Sequence, residues 1–286
     1  MAHVTNPTAE EILDKEFTCL NAGFVRLIDY MGGDESIVQA ARVSYGKGTK
    51  TINEDRGLIR YLMRHLHTTP FEMVELKFHV KLPIFVARQW IRHRTANVNE
   101  YSGRYSVMKD EFYVPEHAAI HFQSLRNKQG RAQDEVPAEL RQRVLDILAS
   151  SQNQMYKEYE SMLESDIARE LARINLPLSL YTEWYWKIDL HNLFHFLRLR
   201  MDANAQYEIR VYADAMAVVT KKVAPLAWEA YEDYILKAQK FSRLELRVLA
   251  ERLDISTITK GLLEVKGFSK READEFLEKL QELPKD

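Results

Sequence analysis

Two neighbouring segments of the chain concentrate side chains that can bind an anion. The first is QWIRHR at residues 89–94, and the second, after seven intervening residues, is SGRYS at residues 102–106. Arginine binds phosphate through paired hydrogen bonds, and histidine can donate a hydrogen bond or stack on a ring. Gly103 lets the backbone approach a ligand closely. The segments therefore predict an anion-binding site or, alternatively, a solvated helix end rich in salt bridges.

Ser102 and Cys19 are the candidate nucleophiles. A free hydroxyl is a weak nucleophile, and no histidine–carboxylate pair is placed by sequence to activate Ser102. We therefore interpret Ser102 as a hydrogen-bond donor to a phosphate or a substrate. Cys19 is the only cysteine of the chain and lies far from the arginines. A buried or incidental thiol is the expected state of such a residue.

Two histidine pairs have spacings that occur among zinc ligands. His65 and His67 are two residues apart, and His191 and His195 are one helical turn apart. No cysteine or carboxylate cluster completes either set, so we expect no metal. A zinc hydrolase built on these four histidines remains an alternative that a metal assay would test.

The composition indicates a soluble globular protein with a local rather than a global anion site. The 286 residues suit one large domain or two small ones, and 46% of them are hydrophobic and 29% charged. The 40 Lys and Arg against 42 Asp and Glu give a net charge of −2, which argues against nucleic acid as a partner. We expect no membrane segment, no signal peptide and a reducing, cytoplasmic location.

A strand and a helix position the arginine segment. Val74–Leu82 is the clearest strand, because apolar residues alternate with charged and polar ones. This alternation predicts one buried and one solvated face, as in an antiparallel sheet. Pro83 can open a helix, on which Gln89 and Arg92 are expected to point the same way. The loop Thr95–Tyr105 is expected to fold back over them.

The remaining elements complete an α+β prediction, an antiparallel sheet packed with long helices. Further strands are predicted near residues 24–30, 111–114 and 178–186. Helices are predicted at residues 10–17, 35–43, 55–67, 138–164, 166–174, 202–222 and 228–237, and after Asp189. Asp34, Ser165 and Asp189 are the predicted N-caps. No glycine-rich fingerprint follows a strand, so a Rossmann fold is not expected.

The two ends of the chain differ from its middle. Residues 1–22 are predicted to be an N-terminal extension, and residues 23–239 a single domain. Residues 240–286 change to helices rich in Lys, Arg and Glu, at 244–253 and 271–283. A helix-turn-helix is the alternative there, but a basic recognition helix is missing. A small helical appendage is therefore the prediction.

These motifs resemble those of the flavin-dependent thymidylate synthases. The family signature is Arg-His-Arg, seven residues and Ser, which Arg92, His93, Arg94 and Ser102 reproduce. Residues 67–72 also match the family's His-x-Thr-Pro-Phe-Glu element. The resemblance runs from about residue 23 to residue 239. It implies the family's own flavin fold, which is not a Rossmann fold.

The resemblance implies a reductive methylation of dUMP to dTMP, for de novo thymidylate synthesis. Methylenetetrahydrofolate would donate the one-carbon unit, and NADPH would reduce FAD, which supplies the electrons that complete the methyl group. In this family FAD lies where three subunits of a homotetramer meet. The distance of Cys19 from the matched site leads us to expect no covalent adduct with dUMP.

The family's site residues carry over to named positions of this chain. The resemblance implies dUMP contacts at Gln89, Trp90, Ile91, Arg92, Glu100, Tyr101, Ser102, Gly103, Arg104, Arg173 and Arg200. It implies FAD contacts at Ser44, Thr69, Arg92, His93, Arg94, Glu100, Asp189, Leu190, His191 and His195. His67 and Tyr105 would face folate. Arg200 is the expected catalytic residue, because a fixed cation stabilises charge that builds on the uracil.

One residue departs from the family pattern, and one other class of function remains open. Asn204 stands where many members have histidine, so a folate contact at this position is expected to be altered. The alternative function is a nucleotide- or RNA-binding regulator that uses the arginine loop without chemistry. Such a protein would need no flavin and would be colourless when pure.

Overall fold

Alternating apolar side chains bury one face of a five-stranded antiparallel sheet. The computed structural model describes residues 5–43, 52–125, 128–132 and 134–284. The strands are β1 (Glu16–Cys19), β2 (Gly23–Met31), β3 (Glu75–Pro83), β4 (Asn97–Glu100) and β5 (Tyr181–Asp189), in the spatial order β1-β2-β3-β5-β4. The predicted α+β fold with an antiparallel, non-Rossmann sheet is confirmed.

Strand β3 is the middle strand and follows its sequence pattern. Leu76, Phe78 and Val80 are fully buried, whereas Lys77 and His79 on the other face are partly exposed. The strand pairs with β2 on one side and with β5 on the other. An alternation of period two thus produced the expected one-sided burial.

One strand prediction and one loop prediction at the β5 edge of the sheet are wrong. Residues 111–114 form only an isolated bridge, between Phe112 and Leu180. The edge strand is instead β4, which lies inside the predicted loop and pairs with Trp184–Lys187 of β5. All residues of β4 are exposed, so no burial pattern marks it in the sequence. Its backbone pairing with β5 makes it a strand.

Several helices differ from their predictions. The helices up to Tyr231 are α1 (Pro7–Glu10), α2 (Asp34–Val43), α3 (Ile52–Arg64), α4 (Ile84–Trp90), α5 (Ala138–Glu164), α6 (Arg169–Ala172), α7 (Leu190–Arg200), α8 (Tyr207–Val223) and α9 (Pro225–Tyr231). The helix predicted at residues 10–17 is wrong, because α1 ends at Glu10, a turn follows and β1 begins at Glu16. Ser165 ends α5 rather than capping the next helix, because Asp166 has a positive φ of 58°.

Asp34 caps a different helix from the predicted one. It is the first residue of α2, and its carboxylate accepts hydrogen bonds from the N–H groups of Leu226 (2.8 Å) and Ala227 (2.9 Å) at the start of α9. Free N–H groups at a helix start favour a carboxylate there. Burial nevertheless raises the pKa of Asp34 to about 6. The contact joins two helices that are far apart in sequence.

The segment predicted as an N-terminal extension contributes to the sheet and the core. Strand β1 pairs with β2, and Ala9, Ile12 and Cys19 are buried. Burial raises the pKa of the Cys19 thiol to about 12, so this cysteine is not a reactive thiolate at neutral pH. The chain divides into two compact units, Met1–Leu236 and Lys237–Asp286.

The second unit consists of short capped helices. These are α10 (Arg243–Arg252), α11 (Lys260–Val265) and α12 (Lys270–Gln281). Capping boxes begin α10, at Ser242 with Glu245, and α12, at Ser269 with Glu272. Helix α11 has no counterpart among the helices predicted from the sequence. In neither unit does a described helix have the length and apolar character needed to cross a membrane.

Replacing Asp34 by Asn should change how stability depends on pH. Between about pH 4 and 6, native Asp34 retains a proton that the unfolded chain has released. The free energy of unfolding of the wild type therefore falls as the pH rises through this window. From pH 5 to pH 7 we expect the wild type to lose roughly 1 kcal/mol relative to Asp34→Asn, measured by denaturant unfolding.

Glu35→Gln is the matched control, because it removes one exposed charge from the same helix. A difference between wild type and Asp34→Asn that stays constant from pH 5 to pH 7 would contradict the assignment.

Candidate active site

Trp90 ends helix α4 and anchors the segment that carries the arginines. Its indole is fully buried and packs against the rings of Trp184, Trp186, Phe196 and Tyr212, at centroid distances of 4.7 to 6.0 Å. Aromatic rings in such edge and tilted contacts stabilise a core beyond the area they bury. The expected contribution of Trp90 to a dUMP site is therefore limited to its backbone.

The chain turns immediately after Trp90 and presents three basic residues. The Arg92 N–H donates to the Gln89 carbonyl (3.3 Å), and the His93 N–H donates to the Trp90 carbonyl (2.9 Å). Arg92 thus lies in a turn beyond α4, so the expectation that Gln89 and Arg92 share a helix face is wrong. Arg92 and Arg94 are exposed at this turn, and His93 is half-buried.

A cavity of about 360 Å³ opens at this turn, between it and helix α7. It is lined by Arg92, His93, Arg94, Thr95, Ile188, Asn192, His195, Leu199 and Arg200. Among these described lining residues there is no carboxylate, and three of them are arginines. The volume lies in the range of small-molecule sites, and the donors suit an anionic ligand.

Arg200 is fixed inside the cavity by a neutral histidine. Its Nε donates to Nε2 of His93 (3.0 Å), and its Nη2 donates to the Gln89 carbonyl (3.4 Å). Burial, Arg200 and His195 lower the pKa of His93 to about 4. His93 is therefore neutral at pH 7 and accepts the hydrogen bond from Arg200. Burial also lowers the pKa of Arg200, which remains a cation at neutral pH.

The start of helix α7 supplies part of the cavity wall. Asp189 is its N-cap, as predicted, and accepts hydrogen bonds from the N–H (2.9 Å) and Nδ2 (2.7 Å) of Asn192. The cap orients Asn192, which lines the cavity. Leu190 is fully buried, and His191, although partly exposed, is not among the lining residues.

The serine–glycine–arginine loop forms a second group around helix α6. Gly103 is buried, and a Cβ placed on it would lie 2.7 Å from Sδ of Met108 and 3.1 Å from Cδ of Arg173. Any larger residue would have to displace these two side chains, so glycine lets them pack against the loop. Arg104 forms an ion pair with Glu170 (3.3 Å), and Nη1 of Arg169 donates to a carbonyl of the same loop, that of Tyr105 (2.9 Å). The fold thus brings Arg173, which is remote in sequence, to the loop.

Strand β4 connects the two groups along the chain. Glu100, its last residue, accepts a hydrogen bond from Oγ1 of Thr182 (2.8 Å). The next residue, Tyr101, donates its N–H to the Glu183 carbonyl (2.8 Å) and its hydroxyl to the Val107 carbonyl (2.8 Å). Within the described residues, no hydrogen bond or ion pair joins a cavity residue to the loop residues 102–105.

Other expected ligands lie outside both groups. The ring of His67 stacks on that of Tyr61 at 5.9 Å, and Thr69 begins a short 3₁₀ helix. Ile91 follows α4 with its side chain exposed, and Ser44 falls outside the described residues. In the described part of the chain, no three His, Cys, Asp or Glu side chains cluster as metal ligands.

Several functional candidates were not found from the sequence. Thr95, Ile188, Asn192 and Leu199 line the cavity although no motif marks them. Their signal is positional only, because each lies next to, or one turn from, a residue that the motifs did mark. Asn204 is exposed, and its side chain donates to Asp202 (3.0 Å) in a turn before α8.

Sequence comparisons identify relatives along nearly the whole chain. The family model described as thymidylate synthase complementing protein matches residues 26–226. The flavin-dependent thymidylate synthase of Rickettsia conorii is 54% identical over 286 residues, covering 96% of each chain. That of Treponema denticola is 60% identical over 237 residues, covering 83% of this chain and 89% of the relative.

A solved structure shares the fold. The UMP/dUMP methylase PolB from Streptomyces cacaoi, bound with 5-Br UMP, matches with a TM-score of 0.67 and 34% identity. The match covers 74% of this chain and 94% of PolB. The cavity residues Arg92–Arg94, Asn192, His195 and Arg200 all fall within the matched family region. This chain therefore belongs to the thymidylate synthase complementing protein family, that of the flavin-dependent thymidylate synthases.

Proposed function

We propose that this protein is an enzyme that methylates dUMP to dTMP in a flavin-dependent reaction. The observation that carries the proposal is the carboxylate-free lining of the cavity, with Arg92, Arg94 and Arg200 around it. The family and the solved UMP/dUMP methylase support dUMP as the substrate. They favour this enzyme over a zinc hydrolase and over a regulator without chemistry.

The cavity residues fit FAD as the cofactor. Guanidinium groups of Arg92 and Arg94 suit its phosphates, and Asn192 adds a neutral donor. Ile188 and Leu199 offer apolar surface for a flat ring. When bound, FAD would carry two electrons from NADPH to the one-carbon unit. Within this family the antiparallel sheet would take the place of a Rossmann site.

Methylenetetrahydrofolate is the proposed one-carbon donor. Its methylene group would replace the hydrogen on carbon five of the uracil, which leaves as a proton. The two bonds from this carbon to folate nitrogens would break, and each nitrogen would take up a proton as tetrahydrofolate is released. Two electrons, originating from NADPH, and one proton then complete the methyl group. His67 and Tyr105 are both exposed and are proposed to face the folate. Asn204, also exposed, would offer an amide where many relatives offer an imidazole.

Arg200 is the proposed catalytic residue. Negative charge must build on the uracil ring before carbon five can react, and a cation held in place stabilises it without rearrangement. The hydrogen bonds to His93 and to the Gln89 carbonyl hold the guanidinium in place. Because His93 is neutral, the charge of Arg200 is not opposed by a second cation at that contact. The buried Cys19 supports a mechanism without a covalent adduct.

The loop residues Ser102 and Arg104, together with Arg173, are the proposed grip on the dUMP phosphate. Arg104 is paired with Glu170, but both side chains are more than half exposed. Such a pair is weak, so a phosphate could displace the carboxylate. Ser102 would donate its hydroxyl to the phosphate rather than act as a nucleophile.

We further propose a homotetramer in which loop and cavity of different subunits complete one site. Four apolar residues are exposed in the segment that also carries Arg169, Glu170 and Arg173 of the loop group, and we interpret them as one apolar surface: Ile167, Leu171, Ile174 and Leu178. Exposed apolar patches of this kind are typical of subunit interfaces. A cytoplasmic location is proposed, because a chain with a single cysteine cannot form an internal disulfide and fits a reducing compartment.

The absorption spectrum tests the function directly. The purified protein, alone or after incubation with FAD, should show flavin bands that bleach with NADPH, faster when dUMP is present. Adding methylenetetrahydrofolate should then yield dTMP, detected by chromatography. A protein that stays colourless after incubation with FAD would contradict the cofactor assignment.

Arg200→Lys should retain dUMP binding but lower the rate of dTMP formation roughly 100-fold or more. A lysine keeps the charge but cannot donate to His93 and to the Gln89 carbonyl in the same fork. Single-turnover measurement of dTMP checks this. Arg198→Lys, on the same helix but outside the cavity lining, is the matched control. Equal rates for the two variants would count against the role of Arg200.

Ile174→Glu should dissociate the proposed tetramer and lower its flavin content. The Ile174 side chain is 76% exposed in one chain, so a charge there should not disturb the fold of the subunit. It would be desolvated in an interface. Sedimentation velocity gives the mass, and absorbance gives the flavin. Leu125→Glu, at a residue 98% exposed, is the control, and unchanged mass for Ile174→Glu would refute this interface.

A further inference from the structure

A buried carboxylate outside the cavity is linked to the Gln89 side chain by hydrogen bonds. Glu208, in the first turn of α8, is only 2% exposed. One of its oxygens accepts from the Tyr113 hydroxyl (2.9 Å) and pairs with Arg131; the other accepts from Nε2 of Gln206 (2.8 Å). Oε1 of Gln206 in turn accepts from Nε2 of Gln89.

Glu208 stays ionised although it is buried. Burial alone would raise its pKa, but the hydrogen bonds from Arg131, Gln206 and Tyr113 together hold the pKa below its usual range. Among the described residues, Arg131 is the charged group and Tyr113 the titratable group that contact it. Arg131 belongs to the polar segment 116–136, so a residue of that surface segment supplies the counter-charge.

An ionised carboxylate accepts hydrogen bonds but donates none. Gln206 must therefore turn its NH₂ group toward Glu208 and its oxygen toward Gln89. Gln89 must then turn its own NH₂ group toward Gln206. The charge on Glu208 thus fixes the direction of both amides, which could otherwise each be reversed. Among the described residues, none donates to Oε1 of Gln89, so this oxygen is left as an acceptor.

We propose that Glu208 is a positioning residue for dUMP, which acts through Gln206 to present Oε1 of Gln89 as an acceptor. This inference rests on the proposed function. A phosphate at neutral pH has only acceptor oxygens at its binding face, whereas the sugar hydroxyl and the ring N–H of dUMP are donors. Gln89 therefore reads the nucleoside part of dUMP. The phosphate is left to the arginines.

We call the hydrogen-bonded series Glu208–Gln206–Gln89 the relay. Glu208→Gln tests it, because an amide keeps the shape of the carboxylate but can also donate hydrogen bonds. If both amides reversed, the NH₂ group of Gln89 would face a hydrogen-bond donor of dUMP. We expect the KM and the dissociation constant for dUMP to rise about tenfold. The kcat at saturating dUMP should stay within about twofold of the wild type, because His93 still holds Arg200.

Gln206→Met breaks the same relay while leaving the contacts of Glu208 with Arg131 and Tyr113 intact. It should weaken dUMP binding to a similar degree. The double variant should lose no more than either single one, because both changes remove one interaction. Gln206→Met alone decides the question if Glu208→Gln does not fold. Asp214→Asn, an exposed carboxylate on α8, is the matched control and should bind dUMP like the wild type.

Two analogues identify the donor that Gln89 reads. One is dUMP without its sugar hydroxyl, and the other is dUMP methylated on the ring nitrogen. One of them lacks the donor that Gln89 contacts. The wild type should bind this analogue about tenfold more weakly than it binds dUMP, and so with the same affinity as Glu208→Gln. The proposal would be overturned if the ratio of the variant's dissociation constant to that of the wild type were the same for dUMP and for both analogues.

The remaining outcomes separate this inference from the function on which it rests. The relay alone would be overturned by either of two results. One is that Glu208→Gln and Gln206→Met bind dUMP as tightly as the wild type, and the other is that their losses of dUMP affinity add in the double variant. A wild-type protein that binds no dUMP would overturn the proposed function and this inference with it.

Discussion

The burial of Trp90 is the contact on which the cavity depends. Its indole packs among Trp184, Trp186 and Phe196, which come from β5 and α7. The aromatic packing fixes where α4 ends relative to those two elements, and the turn that follows must lie against α7. His93 consequently contacts both Phe196 and Arg200. A core interaction thus sets the geometry of polar groups that are themselves only partly buried.

The cavity limits repulsion among its basic groups, because its arginines are charged while His93 is neutral. Three arginines line it, and desolvation together with the charges of Arg200 and His195 lowers the pKa of His93 and keeps it neutral. His93 can therefore support Arg200 instead of repelling it. An anionic ligand supplies the missing negative charge, which is what a nucleotide or a dinucleotide cofactor offers. The buried Glu208 lies outside this lining and has its own counter-charge in Arg131.

The structure divides the expected ligands between two groups. Arg92, His93 and Arg200 meet at the cavity, whereas Gly103 and Arg173 meet at the loop beside α6. Strand β4 separates the groups along the chain and is held to β5 by backbone pairing. A site assembled from two subunits would unite them, and the apolar surface beside the loop gives such an assembly a physical basis.

The sequence determined what local pattern can encode. Alternation at residues 74–82 predicted β3, an acidic cap predicted the start of α7, and the arginine motif marked the cavity and the family. Tertiary contacts decided the rest. The edge strand β4 has no buried face, so only pairing makes it a strand. Asp34 caps α9 rather than α2, because backbone N–H groups distant in sequence donate to its carboxylate, and Glu208 is buried with a hydrogen bond from the distant Tyr113 hydroxyl. Sequence periodicity shows which face of an element is apolar, but not which partner a polar group contacts. At this site the partners fixed the charge states of the polar groups and the directions of their hydrogen bonds.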